Sequence, residues 1–407
     1  MSSTPAADPV RDWAESGIAS LTGRLDGPPL IPPGRAATTA RELAAWIGSA
    51  TAGSVQLDGA RLLSERAAFT GARRAGATSV GGACRLLPTA DGWAAVSCAR
   101  PDDPLLLGAL VGADIGDDPW PAVTSWLAGH TGADLAERVE LLGIAGGPVA
   151  PPDGLPPVPL APRSVEGALV VDFSALWAGP LCAHLLGLAG ARVVKVETPH
   201  RPDGARRGNA DFYRLLHGGH ESIVLDPSDD TQRRELAAVV AAADIVIEAS
   251  RPRALAGFGL DAEQFVADGG TWVSITAHGR GSQRIGFGDD VAATAGLLAS
   301  DATGPVFVGD AFADPLTGLT AAALALSAPA DDPGALWDIS MSSVVAATLN
   351  SPSFPAPQPY RRRDGWWVDA PSGTVAIAEP RRREPDGAAP ESGRDTTGLL
   401  TELGIRR

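Results

Sequence analysis

Short apolar runs alternate with amphipathic segments through the middle of the chain. The apolar runs predict buried strands at 168–173, 192–196, 222–226, 244–248 and 271–276. The segments between them predict helices at 179–189, 229–242 and 261–267. Alternation of this kind is typical of a parallel sheet with helices on both faces, so we predict an α/β fold.

Residues 173–191 carry no charge, a length close to that of a membrane span. Asp172 and Arg192 bound this stretch, and Pro180 and three glycines interrupt it. The apolar run just before it predicts a strand, so the stretch itself is predicted to form a buried helix of the α/β unit. We therefore expect no membrane association.

Two proline-rich segments divide the chain. Six prolines fall within 150–163, and a second run covers 351–359. The predicted division is 1–150, a linker at 151–165, the α/β unit at 166–350 and a C-terminal extension at 351–407.

One internal similarity crosses these boundaries. The segment that starts at Gly17 is similar to the one that starts at Gly296, at nearly equal spacing. Between the matching ends, residues 308–318 of the later copy contain carboxylates, whereas residues 33–41 of the earlier copy contain none. The alternative is chance similarity between helices rich in alanine and glycine.

Composition limits the classes of function. Of its 407 residues, 44% are hydrophobic, which excludes a chain that is disordered throughout. Its formal charge of −15 disfavours nucleic acid or anionic lipid as a partner. Its three cysteines, Cys84, Cys98 and Cys182, are odd in number and widely spaced, as expected of reduced thiols. The first thirty residues lack a secretory pattern, so we predict a cytoplasmic protein.

Common cofactor and hydrolase motifs are missing from the sequence. It has no Gly-x-Gly-x-x-Gly after a strand, no Gly-x-x-x-x-Gly-Lys, no His-Glu-x-x-His and no Gly-x-Ser-x-Gly. Among the histidines only His217 and His220 are closely spaced, in a predicted loop. We expect no metal.

A strand, an Ala178-Gly-Pro turn, a helix and a Val193-Val-Lys-Val-Glu strand follow one another in the α/β unit. This segment resembles the opening unit of the family III (CaiB/BaiF) CoA-transferases. Three further matches follow in the family's order, around Phe212, Ala243 and Trp272. The resemblance implies a Rossmann-like CoA-binding domain with a smaller α+β domain, and an enzyme that moves CoA from an acyl-CoA donor to a carboxylic acid. It also implies coenzyme A as part of the substrate and a homodimer.

The resemblance also implies a catalytic carboxylate. Family members carry an aspartate four residues before a glycine that opens a helix of small residues, and Asp314 and Gly318 have this spacing, whereas Asp310 does not. Asp314 would attack the thioester and carry the acyl group and then CoA. An alternative role for Asp314 is the N-cap of its own helix.

A second acid, Asp289, stands where related α-methylacyl-CoA racemases have a histidine. We assign it a supporting catalytic role, with a solvated loop acid as the alternative. Because the neutral base of a racemase is missing, racemase activity is the weaker hypothesis. A catalytically degraded CoA-binding or scaffolding homologue is the other alternative, since several family residues are replaced here.

By position, the CoA site would be lined by six residues: Leu176, Trp177, Ala178, Leu225, Ala249 and Arg251. Ala249 stands where family members have asparagine. Further positive charge for CoA would come from a basic window that includes Arg192, Lys195 and Arg206.

The resemblance places the family's second half first in this chain. Features of its small domain fall at 84–93 and 142–149, so residues 1–150 are interpreted as a remnant second half and small domain without the catalytic aspartate. Gly81 and Gly82 are candidates for the glycine loop that covers the site in some members.

Overall fold

The computed structural model describes residues 7–116, 118–249, 252–329, 334–350 and 356–406. The helices within these residues are α1 (Pro9–Glu15), α2 (Ile18–Leu21), α3 (Ala36–Ala50), α4 (Gly59–Leu62), α5 (Glu65–Thr70), α6 (Asp103–Val111), α7 (Trp120–Ala128), α8 (Gly132–Leu142), α9 (Ala178–Leu188), α10 (Ala210–His217), α11 (Asp230–Ala241), α12 (Pro252–Ala256), α13 (Ala262–Ala267), α14 (Gly288–Thr294), α15 (Ala313–Ala325), α16 (Met341–Ala347) and α17 (Thr396–Glu402). A 3₁₀ turn covers Gly204–Arg207.

The strands in the same residues are β1 (Cys84–Pro88), β2 (Trp93–Ser97), β3 (Gly146–Pro148), β4 (Ala161–Pro162), β5 (Leu169–Asp172), β6 (Arg192–Glu197), β7 (Glu221–Val224), β8 (Ile245–Glu248), β9 (Thr271–Thr276), β10 (Leu298–Asp301), β11 (Gly304–Phe307), β12 (Ser327–Ala328), β13 (Ala335–Ser340), β14 (Tyr360–Arg362), β15 (Gly365–Ala370) and β16 (Gly373–Ala376).

The central sheet has the strand order β7-β6-β5-β8-β9-β13, and every described pairing in it is parallel. Counted from β5 along the chain, this is the Rossmann order 3-2-1-4-5-6. The order reverses between β5 and β8, and we call this place the switch point. The predicted α/β fold is confirmed, and the five strands predicted between 168 and 276 match β5 to β9.

The uncharged stretch at 173–191 forms α9, which packs inside the protein through Leu181, Leu185 and Leu186. In the part of the chain that the structure describes, no helix has both the length and the apolar character needed to cross a membrane. Gly318 of α15 allows α15 to approach α9, because a Cβ there would lie 2.7 Å from the Ala178 carbonyl oxygen.

The main hydrophobic core contains residues from both sides of the predicted boundary at residue 150. Trp13, Ile18 and Ile47 from the N-terminal helices α1–α5 share it with Leu181 and Leu316 from the α/β unit. By contrast, residues 84–148 form a small domain with the antiparallel sheet β1-β2-β3, helices α6–α8 and their own core. The N-terminal helices α1–α5 and the α/β unit therefore share one hydrophobic core.

The two segments that are similar in sequence, those starting at Gly17 and Gly296, also have similar backbone conformations. Gly17 follows α1 with φ +83°, and Gly296 follows α14 with φ +95°. Gly34 before α3 and Gly309 before α15 also have positive φ, at +73° and +68°. The long helices α3 and α15 then pack against each other.

The chain's single lysine, Lys195, is buried beneath the turn that joins β5 to α9. Its Nζ lies 3.0 Å from Asp203 Oδ2 and 3.6 Å from Asp172 Oδ2, and it donates to the Ser174 carbonyl oxygen. Burial disfavours its charge, but the two carboxylates outweigh burial and raise the pKa of Lys195. Asp203 Oδ1 in turn accepts from the backbone N–H of Leu176 at 3.0 Å. This network holds the turn in place.

Replacing this buried cation should destabilise the protein. Lys195→Met leaves the buried carboxylates of Asp172 and Asp203 without their cation, so we expect the free energy of unfolding to fall by about 3–5 kcal/mol. Urea denaturation followed by tryptophan fluorescence measures the loss. The control is Arg233→Met, which removes an exposed ion pair with Asp230 and should cost less than about 0.5 kcal/mol. Equal losses in the two variants would contradict the role given to Lys195.

Candidate active site

Asp314 lies in the first turn of α15, against the N-terminus of α9. The backbone N–H of Ala178 donates a hydrogen bond to its carboxylate. Because α15 begins at Ala313 and Phe312 occupies the N-cap position, the alternative that Asp314 caps its own helix is wrong. Its carboxylate instead bridges to α9, beside the switch point of the sheet.

Helix α14 approaches Asp314 closely at Gly288, which has no side chain. A Cβ at Gly288 would overlap the Oδ2 atom of Asp314 and lie against the backbone of Ala311. Glycine at this position is therefore required for the carboxylate to occupy its place.

Asp289, the second predicted catalytic acid, follows Gly288 in the first turn of α14. Its Oδ1 accepts from the backbone N–H of Ala311 at 2.7 Å, and the Ser79 hydroxyl also donates to its carboxylate. Burial, together with the nearby charge of Asp310, raises the pKa of Asp289 to about 6. Asp289 is thus held by hydrogen bonds beside Asp314, and it is not a free loop acid.

A third carboxylate, Asp310, is paired with an arginine from the N-terminal helices. Arg66 of α5 donates through Nε to Asp310 Oδ2 at 2.8 Å and through Nη2 to the other oxygen. Asp310 is only 2% exposed, and the guanidinium lies over the ring of Trp177, 5.2 Å from its centroid. The pKa of Arg66 is raised although burial opposes its charge, because Asp310, Asp289 and Asp314 surround it.

The charge state of Asp314 reflects these neighbours. Burial raises the pKa of Asp314 to about 7, the charge of Arg66 acts to lower it, and that of Asp289 acts to raise it. A carboxyl with this pKa exchanges its proton near neutral pH and, when ionised, is available as a nucleophile or a base.

The predicted CoA-lining residues fall into two groups. Leu176, Trp177 and Ala178 form the end of the turn over Lys195, and Leu176 is 43% exposed with φ +69°. This is a strained conformation for a residue with a side chain, and Ala311 beside Asp289 has another, with φ +44°. Trp177 is buried, with its ring edge-on to Phe212. The three residues therefore lie at the switch point, next to Asp314.

The other three predicted positions differ in their exposure, and one of them lies outside the described residues. Leu225 is 1% exposed and belongs to a second core, so its side chain has no free surface for a ligand. Ala249 is exposed at the end of β8, and its Cβ would lie 3.6 Å from a Cβ at Gly179. Arg251 lies outside the described residues. Contact of these positions with CoA stays a prediction.

The sequence did not indicate Arg66 or Ser79 as site residues. Of the basic residues proposed from the sequence, Lys195 is buried under the turn, Arg192 pairs with Glu221 and Glu402, and Arg206 pairs with Glu197. Gly81, by contrast, does lie at the site, since a Cβ there would be 4.0 Å from Asp289 Oδ2. No local motif could have revealed Arg66, because its partner lies 244 residues away.

Several CoA-transferases are similar in sequence to parts of the chain. Succinyl-CoA:glutarate CoA-transferase from Homo sapiens is 29% identical over 174 residues, which is 39% of this chain and 40% of the relative. Succinyl-CoA--D-citramalate CoA-transferase from Chloroflexus aurantiacus is 29% identical over 50% of this chain and 56% of its own length. Formyl-CoA:oxalate CoA-transferase from Afipia carboxidovorans is 31% identical over 25% of this chain and 26% of its own length. The chain thus spans between about a quarter and a little over half of these relatives.

Solved structures are also similar to only part of the chain. A CaiB/BaiF family protein from Brucella suis has 25% sequence identity and a TM-score of 0.44, covering 51% of this chain and 66% of that one. The sequence model of CoA-transferase family III matches residues 165–364, which contain the switch point, Asp289 and Asp314. Residues 165–364 of this chain are therefore similar in sequence to CoA-transferase family III.

Proposed function

We propose that the protein is an acyl-CoA:carboxylate CoA-transferase in which Asp314 is the nucleophile. The observation that carries the proposal is the position of the Asp314 carboxylate, hydrogen-bonded to the Ala178 N–H at the N-terminus of α9 and beside the switch point of the sheet. In open α/β sheets, ligands bind outside the carboxyl ends of the strands at this point. Trp177 and the exposed Leu176 border the same place.

The chemistry requires only carboxylate and thiolate exchanges. An ionised oxygen of Asp314 attacks the thioester carbonyl, the C–S bond breaks and CoA thiolate leaves, giving a mixed anhydride. The thiolate then attacks the Asp314 carbonyl, which releases the donor acid and forms an aspartyl-CoA thioester. An acceptor carboxylate attacks this thioester to form a second anhydride and thiolate. Attack of the thiolate on the acceptor's carbonyl gives the new acyl-CoA and frees Asp314.

Hydrogen-bond donors near Asp314 suit these steps. The Ala178 N–H belongs to the first turn of α9, where backbone N–H groups have no partner within the helix. Such groups stabilise the oxyanion that forms when a thioester or anhydride carbonyl is attacked. Asp289 fits a supporting role, because its carboxylate is held beside Asp314 by Ala311 and Ser79. A homodimer, which rests on the family resemblance, and a cytoplasmic location, which rests on the three free cysteines, are part of the same proposal.

The nucleophile can be trapped directly. With hydroxylamine and an acyl-CoA that the protein accepts, wild-type protein should gain about 15 Da on the peptide that contains Asp314, because hydroxylamine converts the aspartyl anhydride or thioester to a hydroxamate. Asp314→Asn should gain nothing, and Asp301→Asn, which changes an acid of the β10–β11 hairpin, should behave as wild type. Intact-protein and peptide mass spectrometry read the result. CoA-dependent thermal stabilisation without any labelling by a broad acyl-CoA panel would instead favour a degraded CoA-binding homologue.

Acylation should depend on pH through Asp314. Only the ionised carboxylate attacks, and burial raises its pKa to about 7, so the initial acylation rate should fall about tenfold per pH unit below 7 and level off above it. Rapid-quench mass spectrometry of the acylated protein measures this rate. A rate that stays constant down to pH 5 would contradict the raised pKa.

Space for the carboxylate should also be essential. Gly288→Ala places a methyl group where Asp314 Oδ2 lies, so we expect acylation to slow at least about tenfold as the carboxylate is displaced. Gly281→Ala is the matched control, since a Cβ at Gly281 meets no atom within 4 Å. Circular dichroism checks that both variants fold. Unchanged acylation in the folded Gly288→Ala variant would count against the position of Asp314.

A further inference from the structure

We propose that Arg66, contributed by the N-terminal helices, is a positioning residue that keeps Asp314 ionised for attack. The inference rests on the proposed nucleophilic role of Asp314 and adds a residue from outside the matched family region. The N-terminal helices would then belong to the catalytic unit and would not only support the fold.

The orientation of Arg66 is held from two sides. Asp310 accepts from both Nε and Nη2, which fixes the plane of the guanidinium as a fork on a carboxylate. The ring of Trp177 lies under the same group at 5.2 Å, and such cation–π contacts favour the charged form. A side chain restrained in this way presents its positive charge at a constant position next to Asp314.

Asp314 faces acids from two sides and one arginine. Asp289 on α14 and Asp310 in the segment before α15 disfavour its negative charge, whereas Arg66 on α5 and the Ala178 N–H of α9 favour it. The other ionisable groups on the elements that pack against α15 include Asp290 on α14, Cys182 and His184 on α9, Arg41 and Glu42 on α3, and Asp338 on β13. Arg41 pairs with Asp12, Glu15 and Asp58, Glu42 pairs with Arg35, and Asp338 accepts from the backbone N–H of Arg280. His184 is turned toward Arg383, and Asp290 accepts from the Ser97 hydroxyl. Arg66 is thus the cation that acts on Asp314 among these described neighbours.

The arrangement gives opposite signs for two substitutions. Removing the charge of Arg66 leaves Asp314 with like charges only, so its proton should become harder to remove. Removing the charge of Asp310 takes away a repelling carboxylate while Arg66 remains, so the proton should leave more easily. Damage to the fold alone would lower activity in both variants without moving their pH profiles in opposite directions.

The experiment compares four variants with wild type: Arg66→Gln, Arg66→Lys, Asp310→Asn and Arg24→Gln. Arg24 is the matched control, since it pairs with Asp301 at 2.7 Å and so also joins the N-terminal helices to the 288–347 region, but it does not act on Asp314. One readout is the pH profile of Asp314 acylation by rapid-quench mass spectrometry. The second needs no activity: ¹³C NMR titration of carboxyl-labelled aspartate, with Asp314→Asn identifying the Asp314 signal.

Arg66→Gln should move the acylation profile and the Asp314 titration upward by about one pH unit, and Asp310→Asn should move both downward. Arg66→Lys should return both toward wild type, and Arg24→Gln should leave them in place. The inference is overturned if Arg66→Gln and Asp310→Asn shift the midpoint in the same direction, or if neither shifts it more than Arg24→Gln does.

The two readouts separate this inference from the proposed function. If wild type is never acylated but the NMR midpoints shift as expected, the nucleophilic role fails and the electrostatic role of Arg66 stands. If wild type is acylated on Asp314 while the midpoints do not move, the proposed function stands and the role of Arg66 is refuted.

Discussion

The ion pair between Arg66 and Asp310 joins the two halves of the site. Asp310 is almost completely buried, and a buried carboxylate is costly unless a cation with good hydrogen-bond geometry accompanies it. That cation comes from α5, 244 residues earlier in the chain. The site around Asp314 is therefore complete only when the N-terminal helices are docked on α15, and the shared core of Trp13, Ile47 and Leu316 provides the burial that holds them there.

Beneath the site, Lys195 is a buried cation that holds the turn between β5 and α9 in place through Asp172, Asp203 and Ser174. The turn carries the strained Leu176, whose backbone N–H is held by Asp203, and Asp203 is held by Lys195. A conformation of this kind persists only where the surroundings determine it fully. The second strained residue, Ala311, donates its N–H to Asp289. Leu176 and Ala311 both lie on segments that border the carboxylates, where the backbone presents polar groups. A third residue with positive φ, Ala52 at +49°, lies just after α3.

Three carboxylates in one small volume explain the unusual acidities. Burial and mutual repulsion raise the pKa of Asp289 to about 6 and that of Asp314 to about 7, while Arg66 limits the rise at both. In this balance a carboxylate remains available near neutral pH and is less stabilised by water than a surface acid, which suits a nucleophile. The requirement for glycine at 288 follows from the same crowding.

Local pattern alone determined the parallel sheet, because strand and helix periodicities are written in neighbouring residues: the five strands predicted between 168 and 276 correspond to β5–β9. It also indicated Asp314, through its spacing from Gly318 and the resemblance of the surrounding motifs. Arg66, the contact of Ser79 with Asp289 and the core that runs across residue 150 were decided by tertiary structure. Each joins residues far apart in the chain, and periodicity carries no information about which distant segments will pack together, since that depends on the shape and burial of the whole assembled core.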